Sequence, residues 1–362
     1  MSYKTYLAML SVSAFGAFWL TPFAAWLARR YGAMDLPDKR KVHSRPTPRM
    51  GGVAVYLGFL LPWAGLYLLH NPITEEFKNY EKLFFTLILG ATAMLSLGVY
   101  DDIKGADATK KFLAQSTIAI GLWIGGYRIE TFQNPLGGLI HLGWFGLPVT
   151  LIWIVGVTNA INLLDGIDGL VSGVTVCMAI ALAVINALTG NVVVALLTVS
   201  LAGACLGFLP HNHSPARIFL GDSGSLTIGV VLACVGIISL FRDNGQAASP
   251  LVSVPLILFG LPLFDTLRVM FKRWRRGASV FHADKSHVHH RLLSLGLNHG
   301  QASWLLYGVA CVTGTFAVLL TAVGIGLQFQ LSVLFALLGA GVATLWKLWS
   351  RASSAKTGKH VD

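Results

Sequence analysis

The chain has 362 residues, 54% hydrophobic and only 12% charged, with a formal net charge of +11. A soluble domain carries about a quarter charged residues, and a chain this apolar would leave far too much apolar surface in water, so a lipid bilayer is its expected solvent and partner. The basic residues are split among separate loops, which argues against nucleic acid as a partner.

A spanning helix needs about 20 mostly apolar residues. Such runs fall at 5–29, 50–70, 83–100, 111–127, 147–164, 169–188, 191–210, 224–241, 251–271, 302–323 and 327–349. They predict an all-α, polytopic membrane protein of about eleven spans. One membrane domain would occupy 1–350, with a short basic tail at 351–362. The first run has no small-residue cleavage site before Arg29 and Arg30, so it reads as a retained span. The stretch from Phe132 to Phe145 reads as interfacial. Cys177, Cys205, Cys234 and Cys311 all fall inside spans, which argues against a disulfide framework and against zinc.

Of the 27 Lys and Arg residues, 21 fall on one side of this arrangement and five on the other, with Arg268 inside the ninth span. The richer side is expected to be cytoplasmic, with the N-terminus outside and the C-terminus inside. All four Glu lie on the outer side, whereas ten of the twelve Asp lie inside or at inner helix ends. Folding does not require this segregation. It suggests a site on one face.

Asp101 and Asp102 end the third span, at the negative end of its dipole, where carboxylates are disfavoured. One reading is a solvated loop start; the other is a pair held by a cation or by Lys104, Lys110 and Lys111. In the run from Thr158 to Gly169, Asn159 and Asn162 share a helical stripe, Asp165 sits at its edge and Asp168 falls in a glycine turn. That pattern suits either a helix end with interhelical amide bonds or an oxygen-lined pocket for Mg²⁺ or a substrate. Asp222, between Gly221 and Gly224, could cap the eighth span or serve as a metal ligand facing a phosphate. His287, His289, His290 and Arg291 can donate to a pyrophosphate. Asp265 can pair with Arg268 at i+3, a structural ion pair.

Pro48-Arg49-Met50-Gly51-Gly52, Gly98 to Asp102, Asn159 to Gly169, Asn212 to Gly224 and His287 to Arg291 occur in that order. Together they resemble the polyprenyl-phosphate N-acetylhexosamine-1-phosphate transferase family, glycosyltransferase family 4. The His-Val-His-His-Arg loop is closer to its N-acetylglucosamine branch than to the muramoyl-pentapeptide branch, which carries three consecutive histidines there. The resemblance implies an enzyme of the bacterial cytoplasmic membrane. It would transfer GlcNAc-1-phosphate from UDP-GlcNAc to undecaprenyl phosphate with Mg²⁺, or Mn²⁺ in its place, as the first membrane step of a surface polysaccharide. Asp101 and Asp102 match the acids nearest the lipid phosphate, and Asp165 joins them as catalytic. Asp222 matches the magnesium-binding aspartate, with Asn162 as companion. Lys104, Lys111, Asn159, Asp168, Asn212, Phe219, His287, His289, His290 and Arg291 match substrate-binding positions, with Phe219 as a stacking surface for uracil. A homodimer is left open. The alternatives are another UDP-N-acetylhexosamine or UDP-MurNAc-pentapeptide as donor and, in a different class, a secondary transporter. Transporters keep such groups near the midplane, often in repeated halves; here they cluster at one face and no repeat is visible.

Overall fold

A computed structural model describes residues 3–36, 46–68, 72–133, 139–239, 253–277 and 287–323, with the isolated positions 341 and 344. Its helices are α1 (Tyr3–Tyr31), α2 (Gly51–Leu68), α3 (Pro72–Lys104), α4 (Ala108–Gly125), α5 (Gly146–Leu164) and α6 (Leu170–Leu188). They continue with α7 (Val192–Asn212), α8 (Gly221–Ile238), α9 (Ser253–Leu258), α10 (Gly260–Trp274), α11 (Val288–Ser294) and α12 (His299–Val323). Among the described residues seven helical segments are long and apolar enough to cross a membrane, and α2 adds a shorter apolar one. The chain is therefore a mostly helical, multi-pass membrane protein. Apart from positions 341 and 344, the eleventh expected span lies outside the described residues, as does the basic tail.

Two expectations need correction. The fold is not purely helical: β1 (Met34–Asp35) pairs antiparallel with β2 (Thr47–Pro48), and β3 (Thr131–Gln133) with β4 (Leu139–His141). The second ladder and a 3₁₀ turn at Gly143–Phe145 occupy the stretch read as interfacial. The ninth run is two helices, with Phe259 between them. Pro262 accounts for the break: it brings no N–H to the carbonyl of Leu258, and its ring crowds that carbonyl.

α8 is the axis of the bundle. Of its residues 94% are buried, against 33% in the most apolar stretches of α1, α3 and α12, whose open faces suit lipid. A helix so enclosed offers the outside only its ends. Small residues let its neighbours close in. A Cβ added at Gly52 of α2 or Gly98 of α3 would run into the backbone at 222–224. These contacts bring the starts of α2 and α8 and the end of α3 together.

Candidate active site at the start of α8

The first turn of α8 is capped from another helix. Leu220, at the cap position, makes no side-chain capping bond. Instead Asp102, at the end of α3, accepts the backbone N–H groups of Asp222 and Ser223, both at 3.0 Å. Asp102 thus leaves the unfavourable end of its own dipole for the favourable end of another. Gly221 makes this geometry feasible. Its φ is +73°, and a Cβ there would lie 2.5 Å from the Asp102 carboxylate. The start of α2 is fastened to the same place: Gly51 and Gly52 donate to the carbonyls of Phe219 and Leu220 at 3.0 Å, and Phe219 donates to Pro48 at 2.9 Å.

Asp222 is therefore free of capping duty. Its side chain is 16% exposed and pairs with Lys111 of α4, whose Nζ also lies 3.1 Å from Asp101. The other Asp101 oxygen accepts the Ala106 N–H at 2.5 Å. The α2 fastening brings Arg49 alongside, 3.6 Å from Asp102, 3.9 Å from Asp222 and 3.8 Å from Asp35. Burial opposes the charge of Arg49, but Asp102, Asp222 and Asp35 outweigh it and hold the guanidinium above its ordinary pKa. Four carboxylates and two cations thus share one end of the bundle. Lys104 is elsewhere, with its ammonium 5.8 Å over the exposed Tyr100 ring, and Lys110 pairs with Asp107. Of the three lysines read as holding the acid pair, only Lys111 does.

Asp165 follows α5. Part of the residue's surface is open, yet the carboxyl lies among enough protein that burial pushes its pKa up to about 8. Asp222 adds to the rise and Arg49 opposes it. At neutral pH Asp165 is mostly a neutral acid, able to donate. Asp168 accepts the Ala216 N–H at 3.1 Å and steadies the loop before α8. Asn159 and Asn162 face different helices. Asn159 pairs with Gln115 of α4 (2.5 Å), whereas Asn162 donates to Ser225 of α8 (2.8 Å). Ser225 lies one turn beyond Asp222, so Asn162 flanks the Asp222 turn. Asn212 is buried and bonds Ser172 and the Ile218 carbonyl. Its Oδ1 accepts the Ser172 hydroxyl of α6 and its Nδ2 donates into the loop before α8, so both halves of the amide are engaged within the protein. Phe219 is partly exposed beside Arg49, its backbone bridged to that residue.

The histidines divide by burial. His287 and His289 are 5% and 1% exposed, while His290 and Arg291 keep open surface. Burial, then His290, lowers the pKa of His289 to about 3. It is neutral at physiological pH and cannot offer the charged contact expected of the loop. His287 bonds Asp265 rather than solvent.

Among the described residues no three His, Cys, Asp or Glu side chains converge as a cage for a metal. The donors at the Asp222 turn are a carboxylate and the amide oxygen of Asn162. That set fits Mg²⁺, which takes one or two carboxylates and completes its shell with water and substrate phosphates. The local motifs named the acids and Lys111. Arg49 stood in one of them without a role and Gln115 in none, because the partners of both are brought to them by helix packing.

The glycosyl transferase family 4 model matches residues 84–240, which run from mid-α3 through α8. The chain is 34% identical over 310 residues to the probable undecaprenyl-phosphate N-acetylglucosaminyl 1-phosphate transferase of Bacillus subtilis, covering 85% of this chain and 83% of that one. It is 37% identical over 312 residues to the decaprenyl-phosphate N-acetylglucosaminephosphotransferase of Mycobacterium leprae, covering 80% and 77%. It is 33% identical over 268 residues to the phospho-N-acetylmuramoyl-pentapeptide-transferase of Pelagibacter ubique, covering 63% and 71%.

Proposed function

From the premise that the chain belongs to glycosyl transferase family 4, we propose that it transfers GlcNAc-1-phosphate from UDP-GlcNAc to undecaprenyl phosphate. The products are undecaprenyl-diphospho-GlcNAc and UMP. The observation that carries this reading is the insertion of Arg49 and Lys111 among Asp101, Asp102 and Asp222 at one end of a membrane bundle. Such a site meets a lipid phosphate arriving in the membrane and a nucleotide sugar arriving from the cytosol.

The chemical problem is repulsion between two anions. A phosphate-monoester oxygen of the lipid must bond to the β-phosphorus of the donor, while the bond from that phosphorus to the bridging oxygen breaks and UMP leaves with that oxygen. A phosphate monoester is largely dianionic near neutral pH, so no proton need be removed first. Arg49 and Lys111, held ready by carboxylates, exchange those partners for phosphate oxygens and align the attack. Both Asp101 oxygens are engaged, by Ala106 and Lys111, which suits a positioning role and a direct displacement. Asp102 keeps α8 in place and does not meet substrate. Asp165, as a neutral acid, donates to a phosphate or ribose oxygen. His290 and Arg291 take the donor's sugar-phosphate side, and Phe219 offers a ring for uracil.

Asp222 and Asn162 would hold Mg²⁺ here, which when bound neutralises charge developing on the departing phosphate. The site belongs on the cytoplasmic face of a bacterial inner membrane, and the product would start a surface polysaccharide. The test is UMP release by the purified protein in detergent with undecaprenyl phosphate and a panel of UDP-sugars. Release with UDP-GlcNAc but not with UDP-glucose supports the reading; no release with any UDP-N-acetylhexosamine removes it.

A further inference from the structure

Asp265 lies in α10, away from the acid cluster, and is 4% exposed. A carboxylate that deep needs partners, and it has more than the i+3 arginine read from the sequence. Its Oδ1 accepts Arg268 at 2.8 Å and the Val288 backbone N–H at 2.9 Å. Its Oδ2 lies 2.7 Å from Nδ1 of His287. An ionised carboxylate only accepts, so the proton of that bond belongs on Nδ1 of the imidazole. The ring orientation and tautomer of His287 are thereby set from α10.

The arrangement continues beyond that pair. The His287 ring lies parallel to the His289 ring, with centroids 5.8 Å apart and planes 5° apart. His289 in turn abuts Gly166, where a Cβ would collide with the imidazole. Gly166 directly follows Asp165. A column of side chains thus runs from α10 to the turn that carries a buried acid of the site. His290 and Arg291 extend from the same short helix, on its more open side.

We propose that Asp265 is a positioning residue, which through His287 and His289 sets the Asp165–Gly166 turn and the His290–Arg291 edge for the diphosphate of the nucleotide sugar. The proposal rests on the functional reading above. It predicts a split: the column serves the donor side, while the lipid phosphate is met by Arg49 and Lys111.

The experiment compares Asp265→Asn, Asp265→Glu, His287→Gln and the Asp265→Asn/His287→Gln double variant in full-length protein. Donor and acceptor kinetics are measured separately. ¹⁵N-histidine NMR reads the tautomer of His287, assigned by its loss in His287→Gln. Asp265→Asn should lower kcat/KM for UDP-GlcNAc by roughly ten- to a hundredfold, as misplaced groups do, with the KM for undecaprenyl phosphate within about twofold of wild type. His287→Gln should show a similar loss, the double variant no further loss, and Asp265→Glu a partial recovery. The Nδ1–H signal should be present in wild type and absent in Asp265→Asn. Losses that multiply in the double variant, equal effects on both substrates, or an Nδ1–H signal that survives Asp265→Asn overturn the proposal. If Asp265→Asn does not fold, Asp265→Glu and His287→Gln carry the same comparison. If wild type releases no UMP from any UDP-sugar, the functional reading fails on its own, and the tautomer measurement still decides the pair.

Discussion

Asp102 accepts the backbone N–H of Ser223 at 3.0 Å from a position 121 residues earlier in the chain. With the Asp222 N–H on its other oxygen, this carboxylate is the cap of α8. Neighbouring acids in one motif therefore have different tasks. Asp102→Ala leaves two backbone donors without an acceptor, at about 1–3 kcal/mol each. It should lower the unfolding temperature in detergent, with activity falling as folded protein is lost. Asp101→Asn should instead keep the wild-type melting curve and lose turnover. Matching melting curves for the two variants would refute the division of labour.

Arg49 makes a separate case. It stands among Asp35 of β1, Asp102 of α3 and Asp222 of α8, while itself sitting just before α2. Losing one charge-assisted contact costs about 1.5–3 kcal/mol, roughly ten- to a hundredfold in rate. Arg49→Ala should raise the KM for undecaprenyl phosphate or lower kcat by that factor, and Arg49→Lys should recover part of it. Steady-state kinetics with the lipid varied at saturating donor would check this. Wild-type kinetics in Arg49→Ala would leave Arg49 a structural ion pair only.

What the sequence made legible follows from distance along the chain. The acids, the glycines and Lys111 sit in short motifs whose residue types already state their chemistry. The break at Phe259 was also visible, in Pro262, but a hydropathy run is blind to a missing N–H. The pair Asp265–Arg268 is legible because a helix displays its i+3 and i+4 neighbours. Its bond to His287 depends on where α11 packs, which no local pattern carries. The capping of α8 by Asp102 is the extreme case, since Asp222 itself had the spacing of a plausible cap.

The same capping sharpens the expectation for metal. Because Asp222 does not cap α8, Asp222→Asn should fold normally while losing turnover. EDTA should abolish UMP release by the wild type, and Mg²⁺ or Mn²⁺ should restore it. Undiminished activity in Asp222→Asn would assign the metal to other donors or to none.

Asp165 predicts a pH dependence in EDTA, where no divalent cation competes. Its folded pKa, about 8, lies above the ordinary 3.8. Folding therefore takes up a proton between those values. The contribution to stability is fully present below 3.8, is lost as pH rises toward 8, and changes no further above it. Asp165→Asn should remove that slope, so its melting temperature should gain on wild type as pH rises from about 6 to about 8. Parallel curves for the two proteins would mean that Asp165 ionises normally in the folded state.

The histidine loop discriminates among donors. His289 is buried and neutral, so His289→Ala should act through lost packing against Gly166, lowering stability and, through the column it belongs to, kcat/KM for the donor rather than by a lost charged contact. His290 is partly exposed beside Arg291, where it can meet the donor. His290→Ala should raise the KM for UDP-GlcNAc, by roughly two- to tenfold if the lost hydrogen bond is neutral and up to about a hundredfold if it is charge-assisted. The KM for the lipid phosphate should hold, because its cations lie at Arg49 and Lys111. UDP-MurNAc-pentapeptide should not be used: a lactyl-peptide on the 3-oxygen needs room and polar partners beyond this short basic edge. Competition between the two donors in one UMP-release assay checks the point directly. A preference for the pentapeptide donor would make the branch assignment wrong while leaving the family membership intact.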